Sequence, residues 1–484
     1  MGEPAAGRGL RTLRRDVEGR ARTWVLIPVE TKAREYHAKL LLACTAAEAG
    51  FNVILGSMNH LTYNIRFLPR GILFINNVTS MNERPVRRYR RMGHRVVAWC
   101  EEGIAYRNRA SYRHERVAPA VMRGVQRFFA WGPYHAEDVR AVCAPEDRAK
   151  VVESGSPRLD LLRPGIRELF REESERIRGR LGRVLLVNTN FHRYNHFLGK
   201  GAYMRQLAER GKLADGDTKA FFQRWIDYLG EMYRRFAEML PALSAAFPDH
   251  SIVVRPHPSE DHAAWRTEVS RLPNVHVIHE GSALPWILAS EALIHNSCAT
   301  GIEAAVLGIP VISYRPIRSE TYDSYLPNAV SREASSLAQL TDLLRGLAAG
   351  GDRASPDTEP ALRLFSGLEG PSACEGIVAE LQRIDAPPQP FARGPLQVLA
   401  LHTAIRLWPP VRGLVRRLVK GRNPIATYLD QKFPGLEGAE LAADIARLRR
   451  VSGRFAGVRV LQVGDRLFAL SAVAADRGAG PAPS

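Results

Sequence analysis

Short apolar runs alternate with longer helical stretches along most of the sequence, and they form two separate series. The first series has apolar runs at 23–29, 51–55, 71–75, 95–99, 127–131 and 149–153. The second series has runs at 183–188, 251–255, 275–278, 292–295 and 310–314, and a long helical stretch at about 217–247 follows the first of these runs. Runs of this length between helical segments are typical of buried strands in parallel sheets. The sequence therefore predicts an α/β fold of two Rossmann-like domains, 23–157 and 183–350, that face a cleft.

The segments outside the two domains have a different composition, richer in charged residues or in Gly, Pro and Ser. Between 411 and 418 the apolar residues fall on one helical face and arginines cover much of the remainder, which indicates a basic helix. The expected segments are a basic tail (1–22), a charged connector (158–182), a loop-rich linker (351–395), a basic helical extension (396–470) and a disordered tail (471–484).

The chain carries 68 Lys and Arg against 50 Asp and Glu, a formal net charge of +18. A charge of this size favours an anionic partner, either nucleic acid, an anionic membrane surface or a phosphate-bearing substrate. The most basic segment, 84–95, holds six arginines that could bind phosphates or lipid headgroups, although a solvated helix face is the plain alternative. Nucleic acid is the least favoured partner, because no basic platform interleaved with aromatic residues is present.

Several function classes lack their sequence signatures here. The chain has no phosphate-binding G-x-x-x-x-G-K-[ST] loop, no G-x-G-x-x-G after a strand, no G-x-S-x-G and no His-rich cluster. The five cysteines are scattered, with no C-x-x-C pair, which favours a reducing compartment and no structural zinc. We therefore expect no metal or cofactor. With no apolar run of the roughly 18 residues that cross a bilayer, we expect a cytoplasmic protein, soluble or peripheral at the inner membrane face.

The segment 294–316 is the most informative for chemistry. A strand ends at Asn296, a turn of small and polar residues follows, and a helix then leads to Gly308. Free N–H groups at a helix start and nearby hydroxyl groups can bind an anion. Glu303, in the first helical turn, could reach a ribose diol. Helix capping is the alternative. The candidate donor-binding residues of this turn are Asn296, Ser297, Thr300, Gly301 and Glu303.

Two further strand ends carry candidate reactive groups. The strand at 251–255 ends at Arg255, and prolines then bracket His257, which places an imidazole at the sheet edge where ligands bind in open α/β folds. Pro258 is included as a donor-side residue. Glu101 and Glu102 follow the strand at 95–99, and one of them could act as a general base. An exposed acidic turn is the equal alternative.

Polar residues also end the first strand of each domain. Asn190 follows the run at 183–188 and is a candidate donor-side residue. Glu30, Arg34 and Glu35 follow the run at 23–29 and are candidate acceptor-side residues. Both groups fall where a cleft between the domains would be lined, and plain turn chemistry is the alternative.

Together these segments resemble the GT-B glycosyltransferases. The stretch N-S-C-A-T-G-I-E-A-A-V-L-G-I-P-V-I from Asn296 is similar to their donor-binding segment, and 155–160 resembles the G-x-P-x-x-D turn that closes the first domain. More narrowly, Glu101-Glu102-Gly103, His257-Pro258 and Ser297-Cys298-Ala299-Thr300 resemble three motifs of bacterial sialyltransferases and Kdo transferases. Residues 23–330 resemble the bacterial surface carbohydrate biosynthesis protein family.

The resemblance implies a metal-independent glycosyltransferase, inverting or retaining, in bacterial surface polysaccharide assembly. Its donor would be a CMP-linked ulosonic acid, and its acceptor a glycan or a lipid-linked glycan. In this interpretation Glu101 or Glu102 is the base, His257 and the Ser/Thr turn bind the phosphate, Glu303 binds ribose, and Arg255 and Arg315 supply positive charge in place of a metal. The alternatives are a CDP-polyol or glycerol-phosphate transferase and a non-catalytic scaffold.

Overall fold

The computed structural model describes residues 22–103, 106–209, 211, 213, 215–351, 362–389 and 430–472. Fourteen strands are present in these residues. In chain order they are β1 (Trp24–Val29), β2 (Asn52–Ser57), β3 (Ile72–Ile75), β4 (Arg95–Trp99), β5 (Arg127–Phe129), β6 (Val151–Val152), β7 (Arg183–Asn188), β8 (His250–Arg255), β9 (Val275–Val277), β10 (Ala292–His295), β11 (Val311–Tyr314), β12 (Arg332–Ala334), β13 (Val458–Gly464) and β14 (Leu467–Ala472).

Helices cover both faces of the sheets formed by these strands. The α-helices are Lys32–Glu48, Met58–Asn64, Glu83–Arg91, Arg109–Arg116, Pro119–Gly124, Pro133–Val142, Pro157–Asp160, Pro164–Arg167, Arg171–Leu181, Ala202–Glu209, Gly216–Ala246, His262–Glu268, Ala283–Ala289, Thr300–Val306, Tyr325–Ala329, Leu337–Ala348, Ala373–Gln382 and Gly438–Ser452. Three short 3₁₀ helices lie at Ser80–Asn82, Pro145–Lys150 and Glu168–Phe170. Within the described part of the chain, no helix is both long enough and apolar enough to span a bilayer.

The strands form two sheets, one for each predicted domain. The first has the order β13-β14-β2-β1-β3-β4-β5-β6, and the second has the order β12-β11-β10-β7-β8-β9. The pairs among β1–β6 and among β7–β12 are all parallel. The predicted α/β fold of two Rossmann-like domains is confirmed.

The C-terminal region corrects the expected helical extension. Helix Gly438–Ser452 is present, but β13 and β14 follow it as an antiparallel hairpin, and β14 pairs with β2 of the first domain. Phe468 and Leu470 are fully buried against that domain. The alternating pattern V-R-V-L-Q-V before a Gly-Asp turn is a strand signal, and the helical prediction overlooked it. The predicted basic helix at 411–418 lies outside the described residues.

The long helix Gly216–Ala246 fits the predicted 217–247 and shows why the second domain is stable. Its buried residues recur every three or four positions, which gives one apolar face. These residues are Trp225, Leu229, Gly230, Met232, Tyr233, Phe236, Met239, Leu240 and Leu243. The Asp215 side chain caps the helix by accepting the Thr218 N–H at 2.7 Å. This face packs on the second sheet and holds its strand ends in place.

Candidate active site

A cleft of about 720 Å³ separates the two sheets. It is lined by residues that directly follow β1, β3 and β4 of the first sheet and β7 and β8 of the second, and by the turn that leads from β10 into its helix. The carboxyl ends of the strands in both domains therefore open on one space, as in other open α/β sheets. A cleft of this size is within the range of small-molecule sites.

Glu101 lies in this cleft with its side chain about one-tenth exposed, and a buried lysine holds its carboxylate. The Nζ of Lys39 is 2.9 Å from Oε1 of Glu101 and 2.7 Å from Oε2 of Glu35. Lys39 also donates to the carbonyl of Pro28 and to Oδ1 of Asn76. Burial alone would lower the pKa of Lys39, but the two carboxylates outweigh it and the pKa is raised. The lysine therefore stays charged and forms a buried ion pair with Glu101.

Glu102 has a different environment. Its side chain is 44% exposed, forms an ion pair with Arg116 and lies 3.8 Å from Nη1 of Arg34. Two guanidinium groups therefore contact this carboxylate. Of the two predicted base candidates, Glu101 is the buried one, paired with Lys39, and Glu102 is the exposed one, paired with arginine.

The three predicted acceptor-side residues separate into two groups. Arg34 and Glu30 line the cleft, and Glu30 is 3.0 Å from Nζ of Lys432. Glu35 does not line it. It is fully buried and accepts the backbone N–H groups of Glu30 and Thr31. Burial would raise its pKa, but the lysine and arginine beside it lower the pKa to about 2. Glu35 thus stabilises the backbone at the start of helix Lys32–Glu48.

His257 lines the cleft from the second domain. Its Nδ1 accepts the backbone N–H of Ser259 at 3.1 Å, so the proton of the neutral ring is on Nε2. Burial lowers the pKa of His257 well below its usual value, and the nearby Arg34 and Lys432 lower it further. The ring centroid of His192 lies 4.7 Å away. His257 is therefore a neutral hydrogen-bond donor surrounded by positive charge. The carbonyl of its neighbour Pro258 accepts from Gln431 at 2.6 Å.

The positive charge in the cleft comes from residues other than those expected. Arg255 lines the cleft but donates to the carbonyls of Glu280 and Gly281, and burial lowers its pKa to about 10. Arg315 lies outside the cleft, where it pairs with Asp323 at 2.6 Å and with a second carboxylate. Both arginines hold loops. The cations that act on His257 are Arg34, Arg193 and Lys432.

The turn after β10 contributes some of its predicted residues and uses others to hold its own shape. Thr300 lines the cleft, and its hydroxyl accepts from Nδ2 of Asn188 at 3.0 Å. Asn296 accepts the backbone N–H of Asn190, which also lines the cleft. Ser297, in a left-handed conformation with φ of 54°, accepts from Asn328 at 2.9 Å. Ser297 is not among the residues that line the cleft.

Gly301 is needed for packing. A Cβ at this position would lie 2.6 Å from Nε2 of the buried His295. We expect Gly301→Ala to destabilise the protein by about 1–3 kcal/mol in urea unfolding, since the helix must move away from the ring. The control is Gly346→Ala, in an exposed helical position with open space, which should be neutral or stabilising. Equal effects of the two substitutions would contradict this account.

Glu303 lines the cleft and joins the two domains. Its Oε1 is 2.5 Å from Nη2 of Arg158, whose Nη1 donates to the carbonyl of Glu101 at 3.3 Å. Arg158 therefore spans from the acidic loop of the first domain to the donor turn of the second. The neighbouring Asp160 accepts the N–H groups of Ala373 and Cys374 and caps the helix that begins there.

The residues that sequence reasoning missed at this site are charged or aromatic groups distant in sequence: Lys39, Arg116, Arg158, His192, Arg193 and Lys432. Only the turn that contains Arg158 carried a recognisable signal. Among the described residues, no group of three or more His, Cys, Asp or Glu side chains is placed to hold a metal ion.

No protein-family model and no curated protein matches this chain. Among solved structures, the wall teichoic acid polymerase TagF (H548A) is 13% identical with a TM-score of 0.48, over 75% of this chain and 89% of that one. UDP-GlcNAc 2-epimerase from Neisseria meningitidis is 15% identical with a TM-score of 0.46, over 75% and 100%. The epimerase from Methanocaldococcus jannaschii is 13% identical with a TM-score of 0.43, over 75% and 100%. Likeness of this degree transfers no ligand and no residue role.

Proposed function

We propose that this protein is a glycosyltransferase that uses a nucleotide-activated sugar in bacterial surface polysaccharide assembly. One observation carries the proposal. A single cleft places the buried carboxylate of Glu101, from the first domain, in the same space as His257, from the second, and the cations that surround His257. Glycosyl transfer needs these two functions together, a base for the acceptor hydroxyl and stabilisation of the departing phosphate.

The second domain and Lys432 of the C-terminal segment supply the groups that would bind the donor phosphate. The Nε2–H of His257, the hydroxyl of Thr300 and the charges of Arg193 and Lys432 all lie in the cleft. Two residues that line the cleft have a buried polar atom without a hydrogen-bond partner, Nε of Arg34 and Oδ1 of Asn188, which supports a polar ligand here. Leaving such an atom unsatisfied costs about 1–3 kcal/mol, which a bound ligand would recover.

The transfer step follows from these positions. Glu101 takes the proton from the acceptor hydroxyl as its oxygen bonds to the anomeric carbon. The bond between that carbon and the donor phosphate oxygen breaks, and the electron pair leaves with the phosphate. His257 and the cations stabilise the new negative charge, so the step requires no metal from the protein. Glu303 would bind the ribose diol. Its ion pair with Arg158 would either persist beside the ribose or break when the ribose binds.

We propose a CMP-linked ulosonic acid as the donor. Such a donor carries one phosphate charge and one carboxylate charge, and Arg34, Arg193 and Lys432 supply positive charge for both. The acceptor would be a glycan or a lipid-linked glycan at the cytoplasmic face of the membrane. A CDP-polyol donor has a similar charge, and only a binding measurement separates the two.

The experiment is thermal unfolding of the full chain with CMP, CDP, UDP, GDP or ADP. A nucleotide present at about 100 Kd should add about 2.7 kcal/mol of stability. His257→Ala should abolish this gain because it removes the N–H group that donates a hydrogen bond to the phosphate. The control His114→Ala, at an exposed position, should retain it.

Each outcome has a distinct meaning. Stabilisation by CMP that is lost in His257→Ala supports the ulosonic acid donor. Stabilisation by CDP but not by CMP favours the polyol transferase. Stabilisation by UDP or GDP would mean that the donor carries that nucleotide, and the protein would still be a transferase. If no nucleotide stabilises the protein, the catalytic proposal is wrong and a scaffold role remains.

A further inference from the structure

A groove on the surface of the first domain is lined almost entirely by arginine. It lies between helix Glu83–Arg91 and the segment that follows helix Met58–Asn64. The lining residues are Arg66, Arg84, Arg87, Arg88, Arg91 and Met92. All five arginines are exposed, and Val86 is the one buried residue of the arginine-rich helix. The helix thus packs through Val86 and presents its charges outward.

The positive charge of this groove is largely uncompensated. Arg87 is paired with Glu83 at 3.0 Å. Within the described part of the chain, the other four arginines of the groove form no ion pair with a carboxylate. Four like charges on one small face repel each other, and an anionic partner would relieve this repulsion.

Large apolar side chains lie beside these arginines. In the described residues four large hydrophobic side chains are notably exposed: Tyr63 (79%), Phe67 (47%), Met81 (56%) and Tyr325 (62%). The first three lie within three positions of Arg66 or Arg84 in the sequence. Exposed aromatic and apolar side chains next to arginine are the composition of surfaces that enter the headgroup layer of a bilayer.

We propose that this face docks on a membrane that contains anionic lipids. The arginines contact lipid phosphates, and Phe67, Tyr63 and Met81 enter the interfacial layer. Nucleic acid would also neutralise the arginines, but it gives no apolar environment to Met81 or Phe67. An anionic bilayer neutralises the arginines and also removes the apolar side chains from water.

The position of this face also bears on the acceptor, a step that rests on the proposed function. Two cleft-lining residues also belong to this part of the first domain. Tyr89 lies in helix Glu83–Arg91, and Met81 lies two residues before it. Docking would therefore bring the first-domain end of the cleft close to the membrane. An acceptor glycan attached to a membrane lipid could enter the cleft there without leaving the bilayer.

The test is sedimentation of the full chain with phosphatidylcholine vesicles that contain or lack phosphatidylglycerol. The test variant is R84Q/R88Q/R91Q, which removes three charges from one helix face. The control variant is R224Q/R266Q/R345Q, which removes three exposed arginines of the second domain. Each interfacial arginine contributes about fivefold, so the test variant should bind anionic vesicles about a hundredfold more weakly. The control variant should bind nearly as the unmodified protein does.

A second variant tests the apolar contribution. F67S/M81S should reduce the vesicle binding that persists at high salt, where charge contacts are screened. Equal binding of the test and control triple variants would overturn the proposal, and so would equal binding to vesicles with and without the anionic lipid. Competition by single-stranded DNA or inorganic phosphate as effective as that by anionic vesicles would also overturn it.

The outcome is separable from that of the proposed function. Nucleotide-induced stabilisation of R84Q/R88Q/R91Q should match that of the unmodified protein, because its arginines lie outside the cleft. Loss of vesicle binding with intact nucleotide binding supports the docking face. Absence of nucleotide binding would defeat the transferase proposal and leave the vesicle result standing.

Discussion

Replacing Glu101 by Gln is expected to lower turnover by about 10²–10⁴-fold, the usual effect of removing a general base. The amide is nearly isosteric with the carboxylate but cannot accept the proton of the acceptor hydroxyl. Lys39 retains Glu35, the Pro28 carbonyl and Asn76 as partners, so the fold should survive. The measurement is transfer from the donor identified by nucleotide binding, with thermal unfolding as the check on structure.

Glu102→Gln is the matched control. Its carboxylate is exposed and paired with Arg116, and an exposed ion pair contributes little to stability. We expect a much smaller loss of turnover, and any change should fall mainly on the acceptor KM. A larger loss in Glu102→Gln than in Glu101→Gln would reverse the assignment of the base. Equal, small losses in both would exclude base catalysis by this pair.

The preference for Glu101 also has a geometric basis. Its backbone carbonyl accepts from Arg158, and the same guanidinium is paired with Glu303 of the second domain. The proposed base is therefore only one arginine side chain away from the turn that we propose to bind the donor. Glu102 pairs instead with arginines on the first-domain side of the cleft.

The strands of both domains were predictable because buried parallel strands are continuous apolar runs. The run at 183–188 and the observed β7 have the same bounds, and the predicted helix at 217–247 differs from the observed one by a single residue at each end. The hairpin of β13 and β14 was missed. Its alternating sequence was a local strand signal, but no local pattern reveals that β14 pairs with the distant β2.

The site was predictable where strand ends determine it. His257, Glu101 and Thr300 each follow a strand, and the parallel topology alone brings them to one cleft. Arg255 and Arg315 show the limit of this reasoning. A sequence identifies an arginine but does not show that backbone carbonyls or carboxylates already engage it. The cations that remain in the cleft come from separate parts of the chain.

Mild acid is expected to destabilise this protein strongly, because three buried histidines are held neutral. Nδ1 of His135 accepts the backbone N–H of Trp131, and Nδ1 of His295 accepts that of Cys298. Protonation of either ring would break its bond. Burial lowers the pKa of His135 and of His295 to about 3, and that of His94 to about 4.

The sign follows from proton linkage. These pKa values are lower in the folded state than the value of about 6.5 in the unfolded chain, so the unfolded chain binds more protons below that pH. The histidines' contribution to the free energy of unfolding is therefore fully present above about pH 6.5. It is lost as the pH falls towards the pKa values of the folded protein. Each histidine costs about 1.4 kcal/mol per pH unit, so the three together remove about 4 kcal/mol by pH 5.5. Many domains have only about 5–15 kcal/mol in total.

Urea unfolding at about pH 7.5 and about pH 5.5 measures this loss directly, and the slope with pH reports the number of protons taken up. His135→Gln should reduce the slope by about 1.4 kcal/mol per pH unit, because the unfolded chain then has one titrating ring fewer. His114→Gln, at an exposed position, should leave the slope unchanged, since water surrounds its ring in both states. An unaltered slope in His135→Gln would show that this ring is protonated in the folded protein, and its hydrogen bond from Trp131 would then have to be reassigned.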